Sequence, residues 1–190
     1  MNNVCYKIVL VGDGYVGKTS LIEAYFSGFF NQELPSTLGA ICLKTMIEIN
    51  NEKITLAIWD TAGQEKFLSL TPNYIRNADG VIFCFDPNAQ DSLRILDSIY
   101  GSIKEQLDPS MAFVLCANKI DNVDVNRDYS SFISWGKQRK INVFAKTSAK
   151  TGYGVNEVFS NIAEQIYEKK KKVNPTHIVA LKESGENKCC

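Results

Sequence analysis

The sequence predicts one α/β domain with a mostly parallel, six-stranded sheet, one antiparallel edge strand and helices on both faces. Short apolar runs alternate with segments of helical periodicity along the chain. This alternation produces right-handed crossovers, which place successive strands parallel. The 190 residues suit a single domain of about 50 to 250 residues. We assign this domain to residues 1–172 and a flexible tail to residues 173–190, where the periodicity ends.

The predicted strands are short apolar runs, and five of the six are followed directly by a Gly, an Asn or an Asp. The turn Asn50-Asn51-Glu52 separates two such runs, which predicts a hairpin and therefore the antiparallel edge strand. The other runs are connected by helical segments and should lie parallel. The predicted strands are 4–11, 41–49, 53–59, 80–85, 111–117 and 142–145.

The helices follow from apolar residues that recur every three to four positions. In the first helix Leu21, Ile22 and Tyr25 share one face. Polar residues and Pro35 interrupt the pattern after this helix. The predicted helices are 17–27, 64–77, 91–106, 129–140 and 155–172.

The charge distribution disfavours a nucleic-acid-binding domain. The net charge is zero, but residues 169–190 carry six Lys and two Glu, so the tail is +4 and the body −4. Only the tail could approach an anionic surface. The run Lys169–Lys172 has two interpretations, a solvated helix end that complements the helix dipole or a contact with lipid headgroups.

The cysteines indicate a reducing compartment. None of the six has zinc-type spacing, and Cys84 and Cys116 lie within apolar runs, where a free thiol behaves as a small apolar group. The chain shows no secretory signal and no apolar run of about 18 residues that could span a membrane. We therefore expect a cytoplasmic protein.

A phosphate-binding loop follows the first strand. Residues 12–19, Gly-Asp-Gly-Tyr-Val-Gly-Lys-Thr, match the pattern GxxxxGK[ST] between a strand and a helix. Glycines allow backbone N–H groups to converge on a phosphate at the positive end of the helix. Lys18 can reach the β- and γ-phosphates, and the Thr19 hydroxyl can bind Mg²⁺.

A second motif, Asp60-Thr61-Ala62-Gly63-Gln64, follows a buried strand. The Asp60 carboxylate can hold a water bound to Mg²⁺. Gly63 allows its N–H to approach a γ-phosphate, and Gln64 can orient the attacking water. This combination predicts a protein that senses the third phosphate and removes it slowly.

A third motif indicates guanine. Asn118-Lys119-Ile120-Asp121 follows a predicted strand, at the edge of the sheet where doubly wound folds bind ligands. The Asp121 carboxylate can accept two hydrogen bonds from guanine, whereas adenine would leave it unpaired. Ser148-Ala149-Lys150 follows the last strand and is a weaker signal by itself.

In this order, the motifs resemble those of a Ras-superfamily small GTPase over residues 4–172. The resemblance implies that Phe30 packs on the nucleotide, that Lys119 and Lys150 flank the base and that the Ala149 N–H binds the guanine oxygen. It also implies that Thr37 completes Mg²⁺ coordination when GTP is bound. The implied GTP-binding residues are Asp13, Gly14, Tyr15, Val16, Gly17, Lys18, Thr19, Ser20, Phe30, Ser36, Thr37, Gly63, Asn118, Lys119, Asp121, Ser148, Ala149 and Lys150; the metal ligands are Thr19, Thr37 and, through water, Asp60; Gln64 is catalytic.

Within this superfamily the sequence is most similar to a Rab. The run 59–67 and the Gly after Thr37 match that branch, and the chain ends in Cys189-Cys190. The resemblance implies two geranylgeranyl groups on these cysteines, since two chains give firm membrane attachment. It implies a monomer that meets an exchange factor, an activating protein, effectors and a prenyl-binding dissociation inhibitor. Asn2, in place of glycine, disfavours N-myristoylation.

One segment departs from the Rab pattern. Ala40-Ile41-Cys42 stands where Rabs carry Val-Asp-Phe, so an aromatic surface cluster keeps Trp59 and Tyr74 but has Cys42 in place of its Phe. Aromatic residues dominate interface energetics, so the recognition of particular effectors and of the escort protein is not carried over from the family. This departure and the bulky Tyr15, whose ring we expect to face outward, leave open a nucleotide-locked binding module. Asp121 argues against a third class, an ATP-dependent kinase.

Overall fold

The structure, a computed structural model, describes residues 4–31, 37, 40–61 and 71–173. Six strands form one sheet in the order β2 (Ala40–Ile49), β3 (Glu52–Thr61), β1 (Val4–Val11), β4 (Gly80–Phe85), β5 (Ala112–Ala117) and β6 (Val143–Lys146). β2 and β3 are antiparallel, and the remaining neighbours are parallel. The predicted fold class, with its antiparallel edge strand, is confirmed.

The elements alternate as predicted and are numbered here in chain order. Short 3₁₀ turns at Lys104–Gln106 and Ile120–Asn122 follow the third helix and the fifth strand of the described residues. The elements are β1 (Val4–Val11), α1 (Lys18–Ser27), β2 (Ala40–Ile49), β3 (Glu52–Thr61), α2 (Thr71–Ile75), β4 (Gly80–Phe85), α3 (Ser92–Ile103), β5 (Ala112–Ala117), α4 (Ser130–Gln138), β6 (Val143–Lys146) and α5 (Val155–Val173).

Most predicted bounds agree within one or two residues, and local backbone conformation explains several differences. Asp91 has a φ of 65° and Lys140 a φ of 62°, a left-handed conformation that cannot continue a helix. α3 therefore starts after Asp91, and α4 stops before Lys140. Of the predicted helix over 64–77, residues 64–70 lie outside the described residues.

The core has two parts, one on each face of the sheet. Alternating residues of β1 face opposite sides, so Ile8 and Leu10 pack towards α1 and α5 while Val9 and Val11 pack towards α2, α3 and α4. The buried residues of β4 and β5 alternate in the same way. This burial on both faces explains why the strands read as continuous apolar runs.

The carboxyl ends of the parallel strands meet at one edge of the sheet, which brings the predicted motifs together.

The opposite edge of the sheet contacts the basic end of α5. Lys170 Nζ lies 2.6 Å from Asp79 Oδ1 and 4.9 Å from the centre of the Tyr6 ring. Lys169 Nζ donates to the carbonyl oxygens of Pro109, at 3.0 Å, and of Met111. These contacts favour the helix-end interpretation of the lysine run. Within the described ranges, no helix has the length and hydropathy needed to cross a bilayer.

Candidate functional site

The loop between β1 and α1 is shaped by two close approaches. A Cβ at Gly12 would lie 2.3 Å from the Cys84 carbonyl oxygen, so only glycine fits. Gly17 has a φ of 89°, and a Cβ there would lie 2.7 Å from Asn118 Nδ2. Tyr15 is 81% exposed, which confirms that its ring faces outward.

Lys18 is held inside this loop. Its side chain is buried, and Nζ donates to the carbonyl oxygens of Gly12 and Asp13 at 3.0 and 2.8 Å. Burial lowers the pKa of Lys18, while the negative charge of Asp60 opposes that shift. The Asp13 carboxylate in turn accepts a hydrogen bond from the Gly14 N–H at 2.7 Å. The loop therefore presents a preorganised cation at its concave side.

Three oxygen-bearing side chains converge beside Lys18. The Thr19 hydroxyl donates to Asp60 Oδ2 at 2.7 Å, and the Thr37 hydroxyl donates to the same oxygen at 3.2 Å. The two hydroxyl oxygens are 3.0 Å apart. Burial raises the pKa of Asp60, whereas the hydrogen bond from Thr19 and the charge of Lys18 lower it. The three residues predicted to hold Mg²⁺ are therefore brought together.

The residues fit a hard divalent cation. Asp60 Oδ1 is buried and accepts no hydrogen bond from any described residue, which leaves a carboxylate oxygen for a ligand outside the protein chain. One carboxylate and two hydroxyls supply oxygen ligands of the kind Mg²⁺ prefers, together with retained waters. A bound Mg²⁺ would neutralise phosphate charge at this point.

Asn118 ties two loops together. It is 1% exposed, and Nδ2 donates to the Val16 carbonyl oxygen at 3.0 Å. Its Oδ1 accepts hydrogen bonds from the Thr147 hydroxyl at 3.1 Å and from the Ala149 N–H at 3.3 Å. Because one amide connects the phosphate loop, the end of β5 and the loop after β6, the positions of all three are coupled.

Asp121 is oriented by Ser148. The Ser148 hydroxyl donates to Asp121 Oδ1 at 2.6 Å and accepts the Thr151 N–H at 3.1 Å. Asp121 remains exposed, so its carboxylate can accept hydrogen bonds from a ligand. Lys150 is also exposed, and Phe30 is 40% exposed. The arrangement suits recognition of a base edge with two adjacent donors.

Several predicted residues are not described by the structure. These are Ser36, Gly63, Gln64, Cys189 and Cys190. Ser20 lies in the first turn of α1 and is half-buried. The remaining residues of the phosphate loop and of the two guanine motifs lie at the same edge of the sheet.

Sequence reasoning missed two residues of this edge. Thr147 is fully buried and donates to Asn118, and its place directly before Ser148 could have identified it. Asp86 follows β4, and its Oδ2 lies 3.0 Å from Lys119 Nζ. Its position at the carboxyl end of a strand is the sequence feature that could have identified it.

A cavity of about 100 Å³ between the phosphate loop and α3 is bordered by Tyr15, Asp86 and Lys119.

The divergent segment lies on the outer part of the sheet. Cys42 is directly opposite Trp59 in the β2–β3 pair, and the rings of Trp59 and Tyr74 are 6.2 Å apart. Lys7 Nζ lies 5.0 Å from the centre of the Trp59 ring. The predicted neighbours of Cys42 are therefore present, with a lysine beside them.

Comparison with known proteins agrees with this geometry. The sequence profile of the Ras family matches residues 7–168. The chain is 32% identical to the Ras-related protein RHN1 of Nicotiana plumbaginifolia, over 100% of this chain and 96% of the relative. It is 33% identical to the Ras-related protein Rab5 of Nicotiana tabacum, over 94% and 89%, and 37% identical to the GTP-binding protein yptV5 of Volvox carteri, over 87% and 84%. Because these matches span the described domain, the chain belongs to the Ras family and is a small GTPase of Rab type, an enzyme that hydrolyses GTP.

Proposed function

We propose that the protein is a guanine-nucleotide switch that regulates vesicle and membrane trafficking on the cytosolic face of an intracellular membrane. The convergence of Thr37 with Thr19 and Asp60 carries this proposal. With GTP and Mg²⁺ bound, Thr37 would hold the metal, and Thr37 and the segment Gly63–Gln64 would lie against the third phosphate. Loss of this phosphate releases both segments, which ends the signal.

Nucleotide recognition divides between two sets of residues. Lys18 and the backbone of residues 13–19 hold the phosphates, and Thr19, Thr37 and Asp60 hold Mg²⁺. Asn118 and Asp121 recognise guanine, and the Ala149 N–H binds the guanine oxygen. Lys119 and Lys150 lie on the two faces of the base, and Phe30 lies against the ribose or base. The hydrogen bond from Ser148 to Asp121 supports this assignment, since it preorganises the carboxylate.

Hydrolysis is assigned to a water oriented by Gln64. Gly14 leaves space beside the γ-phosphate for Gln64 and for an arginine from an activating protein. Intrinsic turnover is slow, and the arginine accelerates it by on the order of 10³–10⁵.

The switch acts as a monomer that cycles between cytoplasm and membrane. Prenyl groups on Cys189 and Cys190 anchor it, and a dissociation inhibitor extracts it by covering them. An exchange factor loads GTP, and effectors recognise the GTP form. The Rab-type relatives support this assignment.

Phosphate release from GTP-loaded protein tests the mechanism. We expect Gln64→Leu to reduce the rate by at least about tenfold. Gln138→Leu, at an exposed position of α4, should leave the rate unchanged. Equal rates for the wild type and Gln64→Leu would overturn the hydrolysis mechanism.

The alternative function is a nucleotide-locked binding module. Chromatography of the nucleotide released from purified protein distinguishes it from the switch, because permanent retention of GTP favours the nucleotide-locked module.

A further inference from the structure

Asp86 joins the β4–α3 connection to the guanine motif. It follows the last residue of β4, and its Oδ2 lies 3.0 Å from Lys119 Nζ. We propose that Asp86 is a positioning residue that holds Lys119 in place and thereby slows the release of guanine nucleotide. This inference rests on the proposed guanine-nucleotide site, to which Lys119 belongs.

The contact sets the path of the whole Lys119 side chain. A Cβ built at Gly17 would lie 3.8 Å from Lys119 Cε, so the aliphatic part of Lys119 runs past the phosphate loop. Its charged end then reaches Asp86, whose side chain is only 16% exposed. Without the carboxylate, the ammonium group would turn towards water, and the contact between the lysine and the phosphate loop would loosen.

Asp86 is itself held rigidly. Its Oδ1 accepts the Asn88 N–H at 2.9 Å. Its carbonyl oxygen accepts the Ser92 hydroxyl at 2.5 Å and the Ala89 N–H at 3.1 Å. A carboxylate fixed in this way can orient a flexible lysine before the nucleotide arrives, so less side-chain entropy is lost on binding.

Two neighbouring contacts strengthen the same junction. Asn88 Nδ2 donates to the Asn122 carbonyl oxygen at 2.9 Å, and Arg127 Nη2 donates to the Pro87 carbonyl oxygen at 2.8 Å. Together with the ion pair, these contacts attach residues 86–88 to the segment that starts with the guanine motif. Among these contacts, the ion pair between Asp86 and Lys119 involves a side chain that is predicted to bind the nucleotide.

An ordinary surface ion pair would contribute a little stability and nothing to nucleotide retention. The two explanations differ in what removing the charge changes. Asp86→Asn can keep the hydrogen bond from the Asn88 N–H through its amide oxygen but removes the charge that holds Lys119. A positioning role predicts faster nucleotide release from this variant at unchanged folding.

The experiment measures the dissociation of fluorescent GDP from the full chain in the presence of Mg²⁺ and excess unlabelled GDP. We expect release from Asp86→Asn to be about three- to tenfold faster than from the wild type, the effect of losing one partly buried ion pair. Asp128→Asn is the matched control. Asp128 accepts the Ser130 N–H at 2.7 Å at the start of α4 in the same manner, and its variant should release GDP at the wild-type rate.

A double-mutant cycle with Lys119→Met separates positioning from a structural role. If Asp86 acts through Lys119, Asp86→Asn adds no acceleration in the Lys119→Met background. Equal acceleration in both backgrounds, or a wild-type rate for Asp86→Asn, would overturn the inference. If Asp86→Asn does not fold, Asp86→Glu serves instead. Because its carboxylate is displaced from Lys119, we expect GDP release from Asp86→Glu at a rate between those of the wild type and Lys119→Met. In the Lys119→Met background, Asp86→Glu should not change the rate of GDP release. Failure of the wild type to bind GDP would contradict the proposed function itself.

Discussion

Thr37 Oγ1 lies 3.0 Å from Thr19 Oγ1, and both hydroxyls donate to the same oxygen of Asp60. One carboxylate oxygen therefore connects the phosphate loop, Thr37 and the end of β3. A cation at this point would replace hydroxyl hydrogen bonds with metal–oxygen contacts.

Thr37→Ala should weaken the binding of GTP more than the binding of GDP. The alanine removes an oxygen that we assign to Mg²⁺ only in the GTP form, so we expect about a tenfold loss in GTP affinity, as for a lost hydrogen bond to a charged group. Thr37→Ser keeps the hydroxyl and should stay close to the wild type. Titration with fluorescent nucleotides in Mg²⁺ measures both affinities, and an equal loss for GTP and GDP would contradict the assignment.

Thr147→Val should loosen the guanine site without removing a predicted ligand contact. The substitution keeps the side-chain volume but removes the hydroxyl that donates to Asn118 Oδ1. We expect GDP dissociation to accelerate about fivefold, the equivalent of roughly 1 kcal/mol for one hydrogen bond. Thr147→Ser preserves the donor and serves as the control. Release rates of Thr147→Val equal to those of the wild type would show that Asn118 is held by its other partners.

Gly154 and Gly152 form a matched pair in the loop before α5. Both have a positive φ, of 67° and 78°, but a Cβ at Gly154 would lie 2.2 Å from the Lys146 carbonyl oxygen whereas Gly152 has open space around it. We expect Gly152→Ala to lower the free energy of unfolding by about 1 kcal/mol through its left-handed backbone. Gly154→Ala should cost about 3 kcal/mol or more, because the backbone must also move. Urea denaturation of both variants measures the difference, and equal costs would contradict the steric argument.

Tyr6 should make stability depend on alkaline pH. Burial, with Tyr167, Asp79 and Glu52 nearby, raises the pKa of Tyr6 to about 12, from 10.0. The unfolded chain therefore releases this proton at lower pH than the folded protein, so the free energy of unfolding falls as the pH rises through this range. Tyr6→Phe should reduce the loss between pH 8 and 11 by about 1 kcal/mol. Urea denaturation at several pH values checks this, and an unchanged slope would contradict it.

The strands were the most predictable part of the fold. β1 and β4 have the predicted bounds because each is a largely apolar run, buried on both faces over most of its length and followed by a Gly or an Asp. Helix ends were less predictable. The left-handed backbone at Asp91 and Lys140 depends on local packing. The spacing of apolar residues along the sequence does not predict that packing.

The site divides in a similar way. The positions of the phosphate loop and of Asn118–Asp121 at one edge of the sheet could be predicted, because each is a contiguous motif that directly follows an apolar strand. Asp86 was not predicted, since its role depends on a lysine in another segment. Thr147 carried only the weak signal of its neighbour Ser148.

The fold class, the family and the position of each motif follow from the amino-acid sequence alone, because the spacing of apolar residues and of motif residues is a local property of the chain. Which residues of different motifs contact one another depends on the folded chain. Thr19, Thr37 and Asp60 share one oxygen, and Lys119 reaches Asp86, because β3, β1, β4 and β5 are neighbours whose carboxyl ends lie at one edge of the sheet. Contacts between distant segments follow from strand order and register, which no single motif contains.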